Sequence, residues 1–123
     1  SDKLEIIREE HISIFSGDVY AVEDNLEIWS EELIMTSSKD ENEIKEINAH
    51  GNVKIIREEL SVIGDKARYD PIQNKLFVFG EVEVLQNQNT ILCDKIILDL
   101  ENSSSIMSSD SNKRVEALII NEN

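Results

Sequence analysis

The tetrapeptide His50-Gly51-Asn52-Val53 recurs, with changes, at positions 16–19 and 79–82. The copies read Ser-Gly-Asp-Val, His-Gly-Asn-Val and Phe-Gly-Glu-Val, so each contains a glycine, one polar residue and a valine. Internal repetition of this kind predicts a fold built from copies of one supersecondary unit. The three glycines therefore provide the alignment for the rest of the chain.

Apolar residues alternate with polar ones on both sides of each glycine. Around Gly51 the apolar positions are Ile47, Ala49, Val53 and Ile55. Alternation with a period of two predicts a half-buried β-strand. A polar turn follows in each copy, at 23–25, 58–59 and 86–89, and a second alternating run comes after it. Each repeat is therefore predicted to be a β-hairpin.

An acidic residue stands fourteen positions after each glycine, and these residues are Glu31, Asp65 and Asp94. Beyond each acid the apolar alternation changes parity, so one extra residue has to be absorbed nearby. We expect a β-bulge close to Ser30, Gly64 and Cys93, with Gly64 in the left-handed conformation. The recurring carboxylates are expected to serve this local structure.

The remaining segments complete an all-β prediction. Residues 37–43 form a polar insertion in the first repeat, residues 69–75 contain Pro71 and predict a turn, and residues 114–120 predict a last strand. No window shows the apolar spacing of a helix. We expect residues 1–123 to form a single domain.

The charge balance argues against several partners. Twenty-six acidic residues against twelve basic ones give a net charge of −14. A protein that binds nucleic acid uses Lys and Arg to displace counterions, so no nucleic-acid partner is expected. The same charge disfavours attachment to anionic headgroups. Contact with lipid is therefore expected to be apolar.

The sequence contains little that predicts catalysis. The two histidines, His11 and His50, have no nucleophile motif near them, and Cys93 aligns with the small residues Ser30 and Gly64, which favours simple packing. The acidic stretch 39–43 lacks the glycine and the spacing of a calcium loop. We therefore expect a protein that is not an enzyme and that uses no cofactor and no metal.

Six segments in a fixed order give the chain a resemblance to a known family. They are 2–6, 14–19, 49–53, 64–71, 80–82 and 93–95, and residues 113–118 look like the last strand of the same pattern. This order resembles the OstA-like, or LptA, family of periplasmic lipopolysaccharide-transport bridge proteins over nearly the whole chain. Glu31-Glu32 departs from the usual Asp-Lys pair, and Cys93 replaces the usual small residue.

The resemblance implies a β-jelly-roll of stacked antiparallel strands with an apolar inner groove for the acyl chains of lipopolysaccharide. It also implies a place in the periplasm, within a bridge between an LptC-like inner-membrane anchored protein and an LptD-like outer-membrane protein. The inward-facing residues expected to contact lipid are Val19, Leu26, Ile28, Val53, Ile55, Leu60, Val62, Val82, Val84, Ile91, Ile96 and Leu98. The net charge of −14 should repel the phosphates of such a lipid, so divalent cations or local basic residues are needed.

Unpaired strands at the two ends, 4–7 and 114–120, are expected to support head-to-tail self-association. Other functions remain open at this point. The chain could be a related LptC or the N-terminal domain of LptD, a structural β-repeat that binds no lipid, or an enzyme that brings a histidine to Cys93 or to a carboxylate.

Overall fold

The computed structural model describes residues 3–7, 11–23, 25–38, 43–102, 104–109 and 116–118. All nine strands belong to one antiparallel sheet with the order β1 to β8, and β9 also pairs with β7. No helix occurs in these ranges, and the all-β prediction is confirmed. The strands are β1 Lys3–Ile7, β2 Ile12–Glu23, β3 Leu26–Ser37, β4 Ile44–Arg57, β5 Leu60–Asp70, β6 Lys75–Gln86, β7 Asn89–Asp99, β8 Ser104–Ser108 and β9 Glu116–Leu118.

The hairpin turns fall where the polar segments predicted them. Glu58 and Asn87 have φ values of 55° in the two-residue turns after β4 and β6, which is the left-handed conformation that such hairpins require. In the turn after β5, the Asp70 carboxylate accepts the N–H groups of Ile72 at 2.9 Å and Gln73 at 3.1 Å. These side-chain bonds fix the turn that contains Pro71.

The last part of the sheet differs from the sequence prediction. The predicted strand 114–120 is represented by β9, and its other residues lie outside the described part of the chain. The unpredicted strand β8 pairs with residues 95–99 of β7, and β9 pairs with residues 90–92 of the same strand. Two short strands therefore divide one edge of β7, and the division falls beside Asp94.

Every long strand changes direction on a line that we call the waist. In β4 three residues separate the buried Ala49 from the buried Val53, while in β5 only two separate Gly64 from Ala67. The pairing accordingly shifts between His50 and Val53, and equivalent shifts occur in the other two hairpins. The expected bulges are present, with one extra residue in each glycine-containing strand.

The position of the bulge corrects the sequence prediction. The left-handed residues are the anchor glycines and the polar residues after them, as in Gly51 at 85° and Asn52 at 47°. Gly64 does not have a positive φ, so its predicted left-handed conformation is wrong. It is small for another reason, since an added Cβ would lie 2.6 Å from Cγ1 of Val78. The change in the apolar–polar alternation showed that one residue is extra, but it did not show which of the two paired strands carries that residue.

The recurring acids lie against the anchor glycines of the next hairpin. The Asp65 side chain covers Gly80, and the Glu31 side chain covers Gly51 while accepting a hydrogen bond of 2.7 Å from Nδ2 of Asn52. A side chain at either glycine would collide with the carboxylate that covers it. Glu31 and Asp65 therefore take part in the local structure of the waist by lying over a glycine of the next hairpin.

The sheet folds at the waist, so that its two halves form the two layers of the structure. One half, which we call half A, comprises residues 19–30, 53–64 and 82–93 with β9, and half B comprises the remaining strand residues. Val53 and Val62 of half A and Leu76 and Ile96 of half B are all 0% exposed and belong to one apolar cluster. A single sheet buries its inner face to this extent only when another layer covers it. The two halves therefore pack face to face.

Gly80→Ala should lower the free energy of unfolding by about 1–3 kcal/mol, as measured by urea denaturation. Alanine is strained at the φ of 83°, and its Cβ would lie 2.6 Å from Oδ2 of Asp65. Adding Asp65→Ala should restore only part of the loss, because the backbone strain remains.

Glu81→Asn is the matched control for this position. Glu81 has a φ of 45°, which asparagine adopts more readily than glutamate, so stability should stay equal or rise. A Gly80→Ala protein as stable as the wild type would contradict the account of the waist.

Candidate functional site

The free ends of the two halves meet again on the side opposite the waist, and we call this line the mouth. Arg57 at the end of β4 donates a hydrogen bond of 2.7 Å from Nη2 to the carbonyl oxygen of Leu100, which follows β7. Arg57 belongs to a tip of half A and Leu100 to a tip of half B. This bond therefore spans the mouth.

Two openings lie beside this bond, and Arg57 lines both of them. One, of about 330 Å³, lies between the β4–β5 turn with Leu60 and the half B residues Leu98, Ser104 and Ser105. The other, of about 460 Å³, lies between Leu26 with its neighbouring turn and Tyr69 with Asn74. Both volumes are in the range of small-ligand sites in proteins. At the mouth, these openings reach the outermost residues of the apolar interior, such as Leu26, Leu60 and Leu98.

The twelve residues expected to contact lipid all have inward positions, but most of them are packed core. Leu60 and Ile91 are half-buried and pack against the core, while the other ten are buried. Leu60 and Leu98 line the first opening, and Leu26 lines the second. These three side chains connect the core with the mouth. The buried ten are Val19, Leu26, Ile28, Val53, Ile55, Val62, Val82, Val84, Ile96 and Leu98.

The structure adds a second wall that the sequence-based set largely omits. Ten of the twelve predicted residues belong to half A, and only Ile96 and Leu98 belong to half B. The facing wall also contains the buried residues Leu33, Ile47, Ala49, Ala67, Tyr69, Leu76 and Val78. The period-two pattern marks several of them as inward-facing, whereas nothing in the sequence signals that Arg57 bonds across the mouth.

The candidate catalytic residues do not converge. Cys93 is buried on the inner face of β7, whereas His50 faces outward from β4 and lies 2.6 Å, Nε2 to Oε1, from Glu32. Burial raises the pKa of the Cys93 thiol, which keeps it in its unreactive protonated form. His11 lies in the turn before β2. His50 and Cys93 are therefore on opposite faces of the sheet.

Asp99, at the end of β7, serves local structure. The Asp99 carboxylate accepts N–H groups of Asn102 and Glu101, and the bonds from Asn102 hold its pKa below the ordinary value. Within the described ranges, no three His, Cys, Asp or Glu side chains gather as a metal site. The same ranges contain no helix with the length and hydropathy needed to cross a membrane.

Cys93 should resist Ellman's reagent in the native protein at pH 8 and react fully after unfolding in urea. The thiol is buried and its pKa is raised, so both access and ionisation are disfavoured. Release of the thionitrobenzoate chromophore measures the reaction.

A Cys93→Ser, Leu85→Cys double variant supplies the matched control, because Leu85 is 44% exposed on the outer face. Its thiol should react rapidly without urea. Equally rapid reaction of native Cys93 would show that the inner face is open to solvent at this point.

The fold and the mouth define an open antiparallel β-jelly-roll that encloses an apolar interior. The family model for LptA/(LptD N-terminal domain) LPS transport protein matches residues 1–104. The chain therefore belongs to this family, as its sequence motifs indicated.

A solved structure supports the fold independently. The chain is similar to the crystal structure of LptH from Pseudomonas aeruginosa, described as the LptA homologous periplasmic component of the conserved lipopolysaccharide transport device. The TM-score is 0.86 at 15% sequence identity, and the match covers 98% of this chain and 92% of the other. No curated protein matches the sequence. The β-jelly-roll prediction is confirmed by this comparison.

Proposed function

We propose that this protein binds the acyl chains of lipopolysaccharide in its apolar interior and carries the lipid across the periplasm as part of a bridge to the outer membrane. The observation that carries the proposal is the folded sheet, which turns its apolar faces toward each other yet leaves openings at the mouth. Membership of a lipopolysaccharide transport family supports the choice of ligand. The proposed role is that of a carrier and involves no catalysis.

Leu60 and Leu98 are placed to receive the first acyl chain. They stand at the first opening and continue inward into the buried residues of both halves. Because the core is closely packed around Val53 and Val62, deeper entry requires the halves to move apart at the mouth. The twelve predicted residues would then contact lipid in order of their distance from the mouth.

The net charge of −14 is expected to repel the phosphates of lipopolysaccharide, and Arg57 supplies a positive charge at the mouth that would reduce this repulsion locally. Its guanidinium lines both openings, so a phosphate that approaches the mouth meets a cation there first. Glu58 and Glu59 line the first opening. Magnesium ions bound between these carboxylates and the lipid phosphates would reduce the repulsion further.

The edges of the sheet support the proposal of end-to-end assembly. On the outer side of β2, β1 covers residues 12–16, and among the described residues no strand covers 19–23. At the other end, the part of the chain that the structure describes contributes the short strands β8 and β9. An open edge can add a strand from another chain. The proposed neighbours are further copies of this chain, an LptC-like protein at the inner membrane and an LptD-like protein at the outer membrane.

The family description also supports a second candidate role. It covers the N-terminal domain of LptD together with LptA, so this chain could be the lipid-holding domain of a longer outer-membrane receptor. In that role the domain would use the same groove. It would be joined to the outer-membrane part by the polypeptide chain and would not need a separate LptD-like neighbour. The length of the full gene product distinguishes the two roles.

Leu60→Arg should weaken binding of intact lipopolysaccharide by tenfold or more, a loss of about 1.4 kcal/mol. The new charge stands at the opening where an acyl chain would enter, and the long side chain can keep its charge in water, so the fold should survive. Fluorescence titration with and without magnesium measures the affinity, and circular dichroism verifies folding.

Leu85→Arg is the matched control, because it adds the same charge to the outer face of the same half. It should bind like the wild type. Equal weakening by both variants would point to general charge repulsion, and absence of binding by the wild type would argue against lipid carriage altogether.

Self-association should increase with protein concentration in sedimentation velocity experiments, because the open edge at 19–23 remains available in each added copy. Val22→Pro should reduce it, since proline removes a backbone donor from this edge. Val22 is 55% exposed, so core packing should change little. A strictly monomeric protein at millimolar concentration would contradict the assembly proposal.

A further inference from the structure

The outer face of half B carries a group of cations that the proposed lipid groove does not use. The strand register places Lys66, Phe79 and Lys95 side by side across β5, β6 and β7. The next row places Arg68 beside Phe77. We call these five residues the basic patch. It contains three of the twelve basic residues of a strongly acidic chain.

Aromatic rings hold two of these cations in place without neutralising them. The rings of Phe77 and Phe79 are nearly parallel, with centroids 6.4 Å apart and an angle of 4° between them. The Arg68 guanidinium lies 4.7 Å from the Phe77 ring centroid, and Nζ of Lys95 lies 5.3 Å from that of Phe79. A cation–π contact orders a side chain and leaves its charge available.

Several carboxylates lie at the margin of the patch, and Asp65 and Asp94 directly precede Lys66 and Lys95 in the sequence. The closest approach of Glu46 to Arg68 is 3.6 Å, from Oε1 to Nη1, and both side chains are partly exposed. Glu32 is occupied by His50, and Asp65 covers Gly80 at the waist. The patch therefore gathers three cations on one outer face of a protein of net charge −14, with carboxylates at its margin.

A shallow hollow of about 290 Å³ adjoins the patch. Its polar lining consists of Asn48, His50, Lys66 and Arg68, and the Phe79 ring forms one side. Amide and imidazole groups beside two cations are suited to hydroxyl groups next to a phosphate. Ala49 and Ala67 complete the lining, so the hollow combines an apolar floor with polar groups beside the cations.

We propose that the basic patch and its hollow bind a phosphorylated saccharide. Strand spacing separates Lys66 from Lys95 by about 10 Å and from Arg68 by about 7 Å, so a phosphate between them contacts more than one cation. The sugar hydroxyls then meet Asn48 and His50. This inference rests on the proposed function, because the saccharide is the phosphorylated sugar part of lipopolysaccharide, held outside while its acyl chains lie inside.

The distance between the two sites permits this arrangement. Lys95 lies three residues along β7 from Leu98 at the mouth, a rise of about 10 Å. Leu98 faces inward and Lys95 outward, so a saccharide that leaves the mouth has to pass around the tip of half B beyond Leu100 and return along its outer face. The two sites would bind opposite ends of one molecule on the two faces of the same half sheet.

The test uses lipopolysaccharide from which all fatty acids have been removed, because this phosphorylated oligosaccharide cannot use the apolar groove. Isothermal titration calorimetry at low salt should show saturable binding by the wild type. The same oligosaccharide after removal of its phosphates should bind at least tenfold more weakly. Arg68→Gln and Lys95→Gln should each weaken binding of the phosphorylated form by roughly fivefold.

Lys54→Gln is the matched control for Lys95→Gln. Nζ of Lys54 lies 5.6 Å from the Trp29 ring centroid on the outer face of half A, so the variant removes the same charge and the same type of contact. Its affinity should equal that of the wild type. Equal affinities of Lys54→Gln, Lys95→Gln and the wild type would overturn the proposal.

Two further outcomes would also overturn it. Inorganic phosphate that competes as well as the oligosaccharide would show a nonspecific anion surface. Self-association that Lys95→Gln abolishes, with no change in saccharide binding, would assign the patch to an acidic face of a second copy.

Intact lipopolysaccharide separates failure of this proposal from failure of the proposed function. If the wild type binds the intact lipid but not the deacylated form, the groove stands and the patch proposal falls. If the wild type binds neither form, the proposed function falls as well.

Discussion

The structure depends on a backbone conformation that only a few residue types adopt. At the waist, a glycine and the polar residue after it both have positive φ values, and Gly51 and Gly80 are each covered by a carboxylate from the preceding strand. Each long strand can bend there without losing its partners on either side. In the folded sheet each half covers the apolar face of the other. A sheet without the bend would leave that face exposed to water. Burial, the mouth and the outward cations all follow from this geometry.

The bend also explains which residues stand beside it. Val19, Val53 and Val82 pair with Ser30, Gly64 and Cys93, respectively. A small residue therefore lies beside each valine; at Gly64 an added Cβ would lie 2.6 Å from Cγ1 of Val78, and Cys93 is best understood as one of these small residues. Two positions after Gly64 and Cys93, Lys66 and Lys95 face outward and join the basic patch. In the first repeat Glu32 takes this position and pairs with His50, so the cations end at β4.

Much of this architecture was predictable from local patterns. Alternating residues such as Ile47, Ala49, Val53 and Ile55 identified the strands, and short polar segments identified the turns. The parity change located the waist but not the bulged strand, because either member of a pair can absorb an extra residue. Folding of the sheet on itself is a long-range property. Ten predicted residues consequently came from one wall, and Arg57, 43 positions from Leu100, carried no signal.

The hydrogen bond from Arg57 to Leu100 has an energetic consequence for the proposed carriage of lipid. A hydrogen bond from a charged guanidinium contributes roughly 1.5–3 kcal/mol net, since water replaces it when it breaks. Taken alone, such a bond would be broken in roughly one molecule in fifteen to one in 150 at equilibrium, so thermal fluctuation suffices to release it. Under the proposed function, free energy that drives lipid in one direction would come from the neighbouring proteins. The rate at which lipid passes through the proposed groove would then depend on how readily the tips of the two halves separate at the mouth.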